Sequence, residues 1–193
     1  MAGHRGGVAL ARRALADPDP GVQAAALGAL ARLNELRAAD VEAALAAGAS
    51  SARRLAVEVA VRARGKGTRS SLPRAVSGAL GDPDPLVVVG AAWFLAERRT
   101  RAAVPELAAT AAGHDDARCR EAAVAALGAI GDPAGLPAVL SALADVPTVR
   151  RRATVALAGF DDPRVTTALR GATEDRDWQV RQAAGELLDE PTP

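Results

Sequence analysis

The chain has 193 residues and a formal net charge of +1, so its overall charge would not attract nucleic acid or an acidic membrane surface. It contains no tyrosine, two phenylalanines and two tryptophans, which argues against a β-sandwich or barrel, whereas abundant alanine favours helices. Its one cysteine excludes an internal disulfide, Met1–Val8 lacks the core of a signal peptide, and no apolar run approaches the roughly 18 residues of a membrane span. We therefore expect a cytoplasmic helical protein with no membrane partner.

An internal repeat of about 31 residues runs through the chain. Six segments share an apolar residue, which we call the aligned residue, and every segment has alanine four positions later. The aligned residues are Val22, Ala52, Val87, Cys119, Val149 and Val180. The alanines are Ala26, Ala56, Ala91, Ala123, Ala153 and Ala184. Offsets of zero, four and eight lie on one face of an α-helix, so each segment is predicted to form a helix, here named the B helix of its repeat.

The start of each B helix is marked three positions before the aligned residue. Aspartate, a good helix N-cap, stands there in four repeats: Asp19, Asp84, Asp116 and Asp177. Proline occupies the first helical position in three: Pro20, Pro85 and Pro147. In repeat two, Ser50 and Ser51 replace this signal. A shorter A helix precedes each B helix and opens most clearly at Leu72, Val104 and Leu136, each followed by proline.

These helix pairs are predicted to form one repeat domain over residues 1–193, because a single pair cannot bury its apolar face alone but stacked pairs can. The predicted repeats are approximately 6–34, 38–64, 70–99, 101–131, 133–160 and 162–189. The glycine-containing polar segment 64–71 is predicted to be a flexible loop between repeats two and three.

Residues 121–137, with the sequence Glu-Ala-Ala-Val-Ala-Ala-Leu-Gly-Ala-Ile-Gly-Asp-Pro-Ala-Gly-Leu-Pro, carry a family resemblance. They resemble the short HEAT-like repeat of the phycobilisome-lyase type, as do the Val-Arg pairs at 149–150 and 180–181. The resemblance extends over about residues 6–189 and is strongest from residue 70 onward. It implies an all-α fold, a right-handed α-solenoid of about six HEAT-like helical hairpins whose B helices line the concave side. It implies no particular activity, since such repeats serve many proteins as interaction surfaces.

No catalytic, metal or cofactor site is predicted. Cys119 is an aligned core residue, so we expect an inert buried thiol although Arg118 and Arg120 flank it. The histidine and acidic residues at 114–116 are expected to form a solvated turn, because a transition-metal site needs three or four converging ligands. The sequence contains neither a Ser-His-Asp pattern nor a phosphate-binding loop, and we predict a protein that is not an enzyme.

Arginine follows the aligned residue in four repeats: Arg53, Arg120, Arg150 and Arg181. Together with Arg152 these side chains could form a basic stripe that contacts phosphates, which makes nucleic-acid binding the second functional hypothesis. The other interpretation is a ladder, in which each arginine pairs with a turn aspartate of its own or a neighbouring repeat. The recurrence of the capping aspartates in the same turns favours the ladder.

The third B helix departs from the repeat because it is apolar on all sides. Val89 and Trp93, at offsets two and six, are predicted to face the concave surface. Ala125 and Val155, at offset six in repeats four and five, would extend the apolar strip. Charged residues should border it: Arg54, Glu58, Glu121 and Arg151. An apolar centre with a polar rim is typical of protein-binding surfaces, and burial of Trp93 in the core is the alternative.

These patterns together predict a non-enzymatic interaction or scaffold module that binds an unidentified protein or peptide on its concave face. A lower alternative is an accessory subunit of an enzyme complex, a role that the resemblance to bilin-lyase subunits implies. Trp178, at the start of the last B helix, is predicted to cap the end of the core.

Overall fold

The computed structural model describes residues 2–46, 49–62 and 72–189, and within these ranges all regular secondary structure is helical. The α-helices are α1 (Ala2–Ala14), α2 (Pro20–Arg32), α3 (Ala38–Ala46), α4 (Ser50–Arg62), α5 (Leu72–Ser77), α6 (Pro85–Glu97), α7 (Val104–Gly113), α8 (Ala117–Ile130), α9 (Leu136–Ala142), α10 (Pro147–Ala156), α11 (Pro163–Ala172) and α12 (Trp178–Asp189). Short 3₁₀ turns cover Gly78–Gly81, Arg101–Ala103, Pro133–Gly135 and Leu157–Gly159. The predicted loop 64–71 lies outside the described residues.

The helices belong to two compact units, Met1–Leu95 and Ala96–Pro193. In the first unit, α1 pairs with α2 and α3 with α4, and α2 also packs against α4. In the second unit, α7 pairs with α8, α9 with α10 and α11 with α12, while α10 packs against both α8 and α12. The even-numbered helices are the predicted B helices, so the alternation of A and B helices is confirmed in both units.

The predicted helix starts are confirmed by hydrogen bonds at the caps. The side-chain oxygens of Asp19, Asp84 and Asp116 accept backbone N–H bonds at the starts of α2, α6 and α8, and Asp177 does the same at the start of α12. The helices α2, α6 and α10 begin at the predicted prolines, and α4 begins at Ser50. These caps satisfy N–H groups that have no partner within the helix, and they thereby fix the residue at which each of these B helices begins.

The core follows the predicted register, with one exception at its edge. All six alanines at offset four are buried, as are five of the six aligned residues. Val22 was predicted to be core, but 38 % of its surface is exposed. Its helix belongs to the first pair, which has a described neighbour on only one side, so nothing covers this position as it is covered in later repeats.

The second unit also contains a backbone contact that only glycine permits. A Cβ atom built on Gly128 of α8 would lie 2.6 Å from the Cβ of Ala156, and one built on Gly159 would overlap the carbonyl oxygen of Gly128. Gly131 ends α8 with a left-handed φ of 67°, which suits glycine. The helices α8 and α10 are therefore held in direct backbone contact, which fixes the relative positions of the side chains on their exposed sides.

Among the described residues no helix is both long and apolar enough to cross a membrane.

Candidate partner-binding face

The exposed side of each B helix has its own register, at offsets minus one, two and six from the aligned residue. Positions three, four and seven apart lie on one side of a helix, so these offsets form a single stripe on each B helix. We name this surface the B-helix face and describe it separately for each unit.

In the first unit, the B-helix face is most apolar on α6, where it consists of Leu86, Val89 and Trp93. Leu86 is 47 % exposed and Trp93 54 % exposed, while Val89 is half-buried. The alternative that Trp93 is a core residue is therefore excluded. Leu86 was missed by sequence reasoning, although its spacing of three and seven residues from the other two members was a readable signal.

The neighbouring helix α4 places charged side chains on the same face. A Cβ built on Gly90 of α6 would lie 2.6 Å from Val57 Cγ2 of α4, which shows how closely the two helices pack. Arg54 and Glu58 of α4 are exposed at offsets two and six. The Nε of Arg54 donates to Asp84 Oδ2 at 2.6 Å, and this hydrogen bond is the main cause of a lowered pKa for Asp84. The first unit therefore presents an apolar stripe beside a charged one.

In the second unit, the B-helix face contains an open cleft of about 250 Å³. Its lining residues are Glu121, Pro147, Thr148, Arg151, Arg152, Val155, Asp177 and Gln179. The structure thus brings together Glu121, Arg151 and Val155, three residues predicted to contact a partner. Ala125 is half-buried on α8, one turn beyond Glu121, and does not line the cleft.

The charges of this cleft are unevenly compensated. Glu121 accepts a hydrogen bond from Arg152 Nη2 at 3.1 Å, and Asp177 accepts the N–H of Gln179 at the start of α12. Arg151 is exposed and forms no hydrogen bond or ion pair with the described residues. The cleft therefore combines an apolar side chain, Val155, with one arginine whose charge is not paired by any described residue.

Three of the four arginines that follow the aligned residues form a ladder, as the favoured interpretation predicted. Each reaches the turn of the next repeat with two hydrogen bonds from Nε and Nη2 to one carboxylate, at distances of 2.7–3.0 Å. The pairs are Arg53–Asp82, Arg120–Asp145 and Arg150–Asp175. The acceptors are turn aspartates of the next repeat, as this interpretation predicted, and they lie one or two positions before the N-cap instead of at the capping position.

The same guanidinium groups also hold their own turns. Arg150 Nη1 donates to the carbonyl oxygen of Asp145 at 2.9 Å, and Arg120 Nη1 donates to that of His114 at 2.7 Å. The arginine hydrogen bonds are the main cause of the lowered pKa values of Asp145 and Asp175. Arg120 and Arg150 thus each connect two successive turns, and the carboxylate partners neutralise the charges of all three ladder arginines.

This arrangement removes most of the support for the nucleic-acid hypothesis. Three of its candidate residues, Arg53, Arg120 and Arg150, are the ladder cations, and Arg152 is paired with Glu121. The remaining candidate, Arg181, is exposed and donates to backbone carbonyls of its own turn. Phosphate binding depends on several unpaired cations along one surface, and the five candidate arginines do not supply them.

The other singled-out residues are structural. Cys119 is fully buried, as predicted. The ring Nδ1 of His114 accepts the N–H of Asp116 at 3.0 Å, and the described residues contain no cluster of potential ligands that could hold a metal ion. Trp178 was predicted to cap the core, but it is 61 % exposed, because its position at the first residue of α12 directs the ring outward from the helix pair.

Comparison with known proteins agrees with this geometry. Residues 72–158 match the family model of HEAT repeats. The segment from α5 through α10 therefore consists of HEAT repeats. A crystal structure of an engineered protein has a TM-score of 0.66 at 20 % identity, covering 94 % of this chain and 97 % of the other. The complex of CpcE and CpcF of phycocyanin lyase from a Nostoc species has a TM-score of 0.61 at 23 % identity, with coverages of 92 % and 74 %.

Human deoxyhypusine hydroxylase, in complex with glycerol, gives a TM-score of 0.55 at 25 % identity and covers 79 % of this chain and 61 % of its own. No curated protein matches the sequence. The similarities show the fold, an all-α array of HEAT-like hairpins, and confirm the predicted fold class. HEAT repeats are typical of protein-interaction scaffolds, although two of these structurally similar chains come from enzymes or their complexes.

Proposed function

We propose that this HEAT-like repeat protein is a non-enzymatic interaction module that binds a partner protein or peptide on its B-helix face. The observation that carries the proposal is the exposure of Trp93 on α6, beside Leu86 and Val89. The apolar surface of an exposed tryptophan on a rigid helix is unfavourable in water, and its burial by a partner contributes strongly to the binding free energy. A cytoplasmic location stays a prediction.

The surroundings of Trp93 support a protein partner. The apolar stripe of α6 lies beside the charged residues Arg54 and Glu58 of α4, so the first unit has an apolar centre and a polar border. Interfaces between proteins are usually built in this way, with the apolar part supplying most of the binding energy. In the second unit, the cleft is smaller than the 300–1,000 Å³ of typical small-molecule sites, which favours contact with side chains over capture of a cofactor.

The test replaces one exposed indole and keeps the other. Trp93→Gln and Trp178→Gln remove the same chemical group from two positions of similar exposure, and glutamine is a good helix former. Tagged wild-type chain and both variants would be used to capture proteins from a lysate of the organism that encodes the chain, with quantification by mass spectrometry. The dissociation constant of any captured protein would then be measured with purified components.

We expect Trp93→Gln to weaken binding of the specific partner by about 2 kcal/mol, or roughly thirtyfold, and Trp178→Gln to leave it unchanged. Circular dichroism should show the same helicity for all three chains, since both rings are exposed. Equal capture by wild type and Trp93→Gln would refute the proposal. Equal losses in both variants would indicate nonspecific adhesion to exposed indoles and would refute it as well.

A further inference from the structure

The last repeat contains a half-filled position of the arginine ladder. Arg181 Nη1 donates to the carbonyl oxygens of Asp175 and Arg176, at 2.8 and 3.1 Å, as the inner ladder arginines do in their own turns. No carboxylate in the described part of the chain pairs with Arg181. Its side chain is exposed, whereas Arg150, its equivalent one repeat earlier, is 4 % exposed.

The first repeat contains the complementary half. The ladder acceptors Asp82 and Asp175 each lie two residues before a capping aspartate and accept its N–H, both at 2.8 Å. Asp17 makes the same hydrogen bond to the N–H of Asp19 at 2.9 Å. No described arginine pairs with Asp17, so its carboxylate occupies a ladder position that lacks its cation.

Exposed apolar side chains accompany Asp17 on the first helix pair. Val22 occupies an aligned position that is buried in every other repeat, and it is exposed here. Leu10 is exposed on α1, two residues before Arg12, which pairs with Asp40 of α3 at 2.7 Å. Two residues correspond to about 200° around a helix, so Leu10 lies on the side of α1 away from the second pair. The outer side of the first pair therefore combines these apolar side chains with an acid that no described arginine pairs, and it also carries the exposed Arg13, three residues after Leu10.

The outer side of the last pair has matching character. Besides Arg181 in the first turn of α12, the last turn of this helix contains Leu188, which is half-buried. Its equivalent in α8, Leu127, is buried and packs against Gly135 of the following repeat. A second helix pair with an acid at the ladder position and an apolar surface would cover Leu188 and pair Arg181.

We propose that the chain associates head to tail with a second copy of itself, and that Asp17 of one copy fills the ladder position at Arg181 of the other. The two surfaces carry opposite charges at the ladder position, both contain exposed or half-buried apolar side chains, and together they reproduce the residue types of an inner rung. The contact is heterologous, because each copy contributes a different surface. It is weak, with a dissociation constant on the order of 0.1 mM, since one rung and a small apolar area are buried.

The test is a charge exchange measured by sedimentation velocity over a range of concentrations. Asp17→Arg and Arg181→Asp are each expected to sediment as monomers at concentrations where wild type associates. Because the first variant retains Arg181 and the second retains Asp17, an equimolar mixture of the two should associate again. Arg170→Asp, which changes an exposed arginine of α11 outside the ladder, should behave as wild type.

Recovery of association in the mixture would also show that both variants are folded. Wild type that remains monomeric at about 1 mM, tenfold above the expected constant, would overturn the proposal. So would association that survives either single charge change, because the copies would then be using another surface. Failure of the mixture to associate while both single variants are monomeric would equally overturn the pairing of Asp17 with Arg181.

Discussion

The ladder makes a quantitative prediction, because two arginines of α10, two residues apart, differ in burial and in the number of hydrogen bonds that they make. Arg150 and Asp175 have side chains only 5 % and 15 % exposed and share two hydrogen bonds at 2.9 and 2.8 Å. Arg152 and Glu121 are 44 % and 32 % exposed and meet at 3.1 Å. Methionine in place of either arginine keeps the aliphatic stem and the helix propensity while it removes the guanidinium.

Arg150→Met leaves the Asp175 carboxylate with a reduced set of hydrogen bonds in a largely dry site. Breaking a buried ion pair typically costs about 3–5 kcal/mol, and since Asp175 keeps some contact with water we expect about 3 kcal/mol from Arg150→Met. Exposed pairs contribute roughly 0.2–1 kcal/mol, so Arg152→Met should cost about 0.5 kcal/mol. The free energies of unfolding would be measured by urea denaturation monitored by circular dichroism.

A double-mutant cycle isolates the pair itself. The additional variants are Asp175→Asn and the combination of Arg150→Met with Asp175→Asn. Since each single change already breaks the rung, the double change should cost about 2 kcal/mol less than the sum of the two. Equal losses for Arg150→Met and Arg152→Met, or a coupling energy near zero in the cycle, would refute the view that the ladder joins successive repeats.

Two further predictions concern the second unit. Gly159→Ala should lower the free energy of unfolding of this unit, measured by urea denaturation, by about 3 kcal/mol, because the new Cβ overlaps the Gly128 carbonyl. Gly171 has open space around it, so Gly171→Ala should be neutral or slightly stabilising. Equal effects of the two changes would contradict the backbone contact. The lowered pKa values of Asp145 and Asp175 contribute stability that is present above the unfolded-state pKa of about 3.9 and is lost as pH falls through the lower folded-state values. On this account the melting temperature should change little between pH 7 and pH 5 and should decrease when the pH is lowered below about 4. The decrease should be smaller in Arg150→Met. An acid response of that variant identical to the response of wild type would contradict the contribution of these two carboxylates.

The repeat register could be predicted because it depends on local chemistry. Caps such as Asp116 and the alanines at offset four act within one helix or between adjacent helices, so each repeat restates the same requirement in the sequence. Burial at the edge could not be read in this way. Val22 satisfies the pattern as well as Val149 does, but burial of an aligned residue requires a neighbouring helix pair, and a pattern within one repeat carries no information about that neighbour.

The ladder was predicted in kind, but the sequence pattern did not distinguish which aspartate of each turn accepts the arginine. In the ladder pairs the acceptor lies one or two positions before the N-cap, while a capping carboxylate accepts N–H groups of its own helix, as at Asp177. The motif Asp-x-Asp, seen at Asp82 with Asp84 and at Asp175 with Asp177, separates these tasks: the first carboxylate receives the arginine, and the second caps the helix. Sequence reasoning that assigned one role to each aspartate of this motif would have found the acceptors.

The position of the candidate face follows from the different structural roles of the offsets within each B helix. Offsets zero and four serve packing and vary little in chemistry across the repeats, while offset one holds arginine in four repeats and Gln23 or Val88 in the other two. Offsets minus one, two and six carry no such duty, and they hold side chains as different as Trp93 of α6 and Arg151 of α10. Because stability does not require a tryptophan at an exposed offset, while burial by a partner would reward one, Trp93 is the residue of this face whose identity the fold leaves unexplained and binding explains.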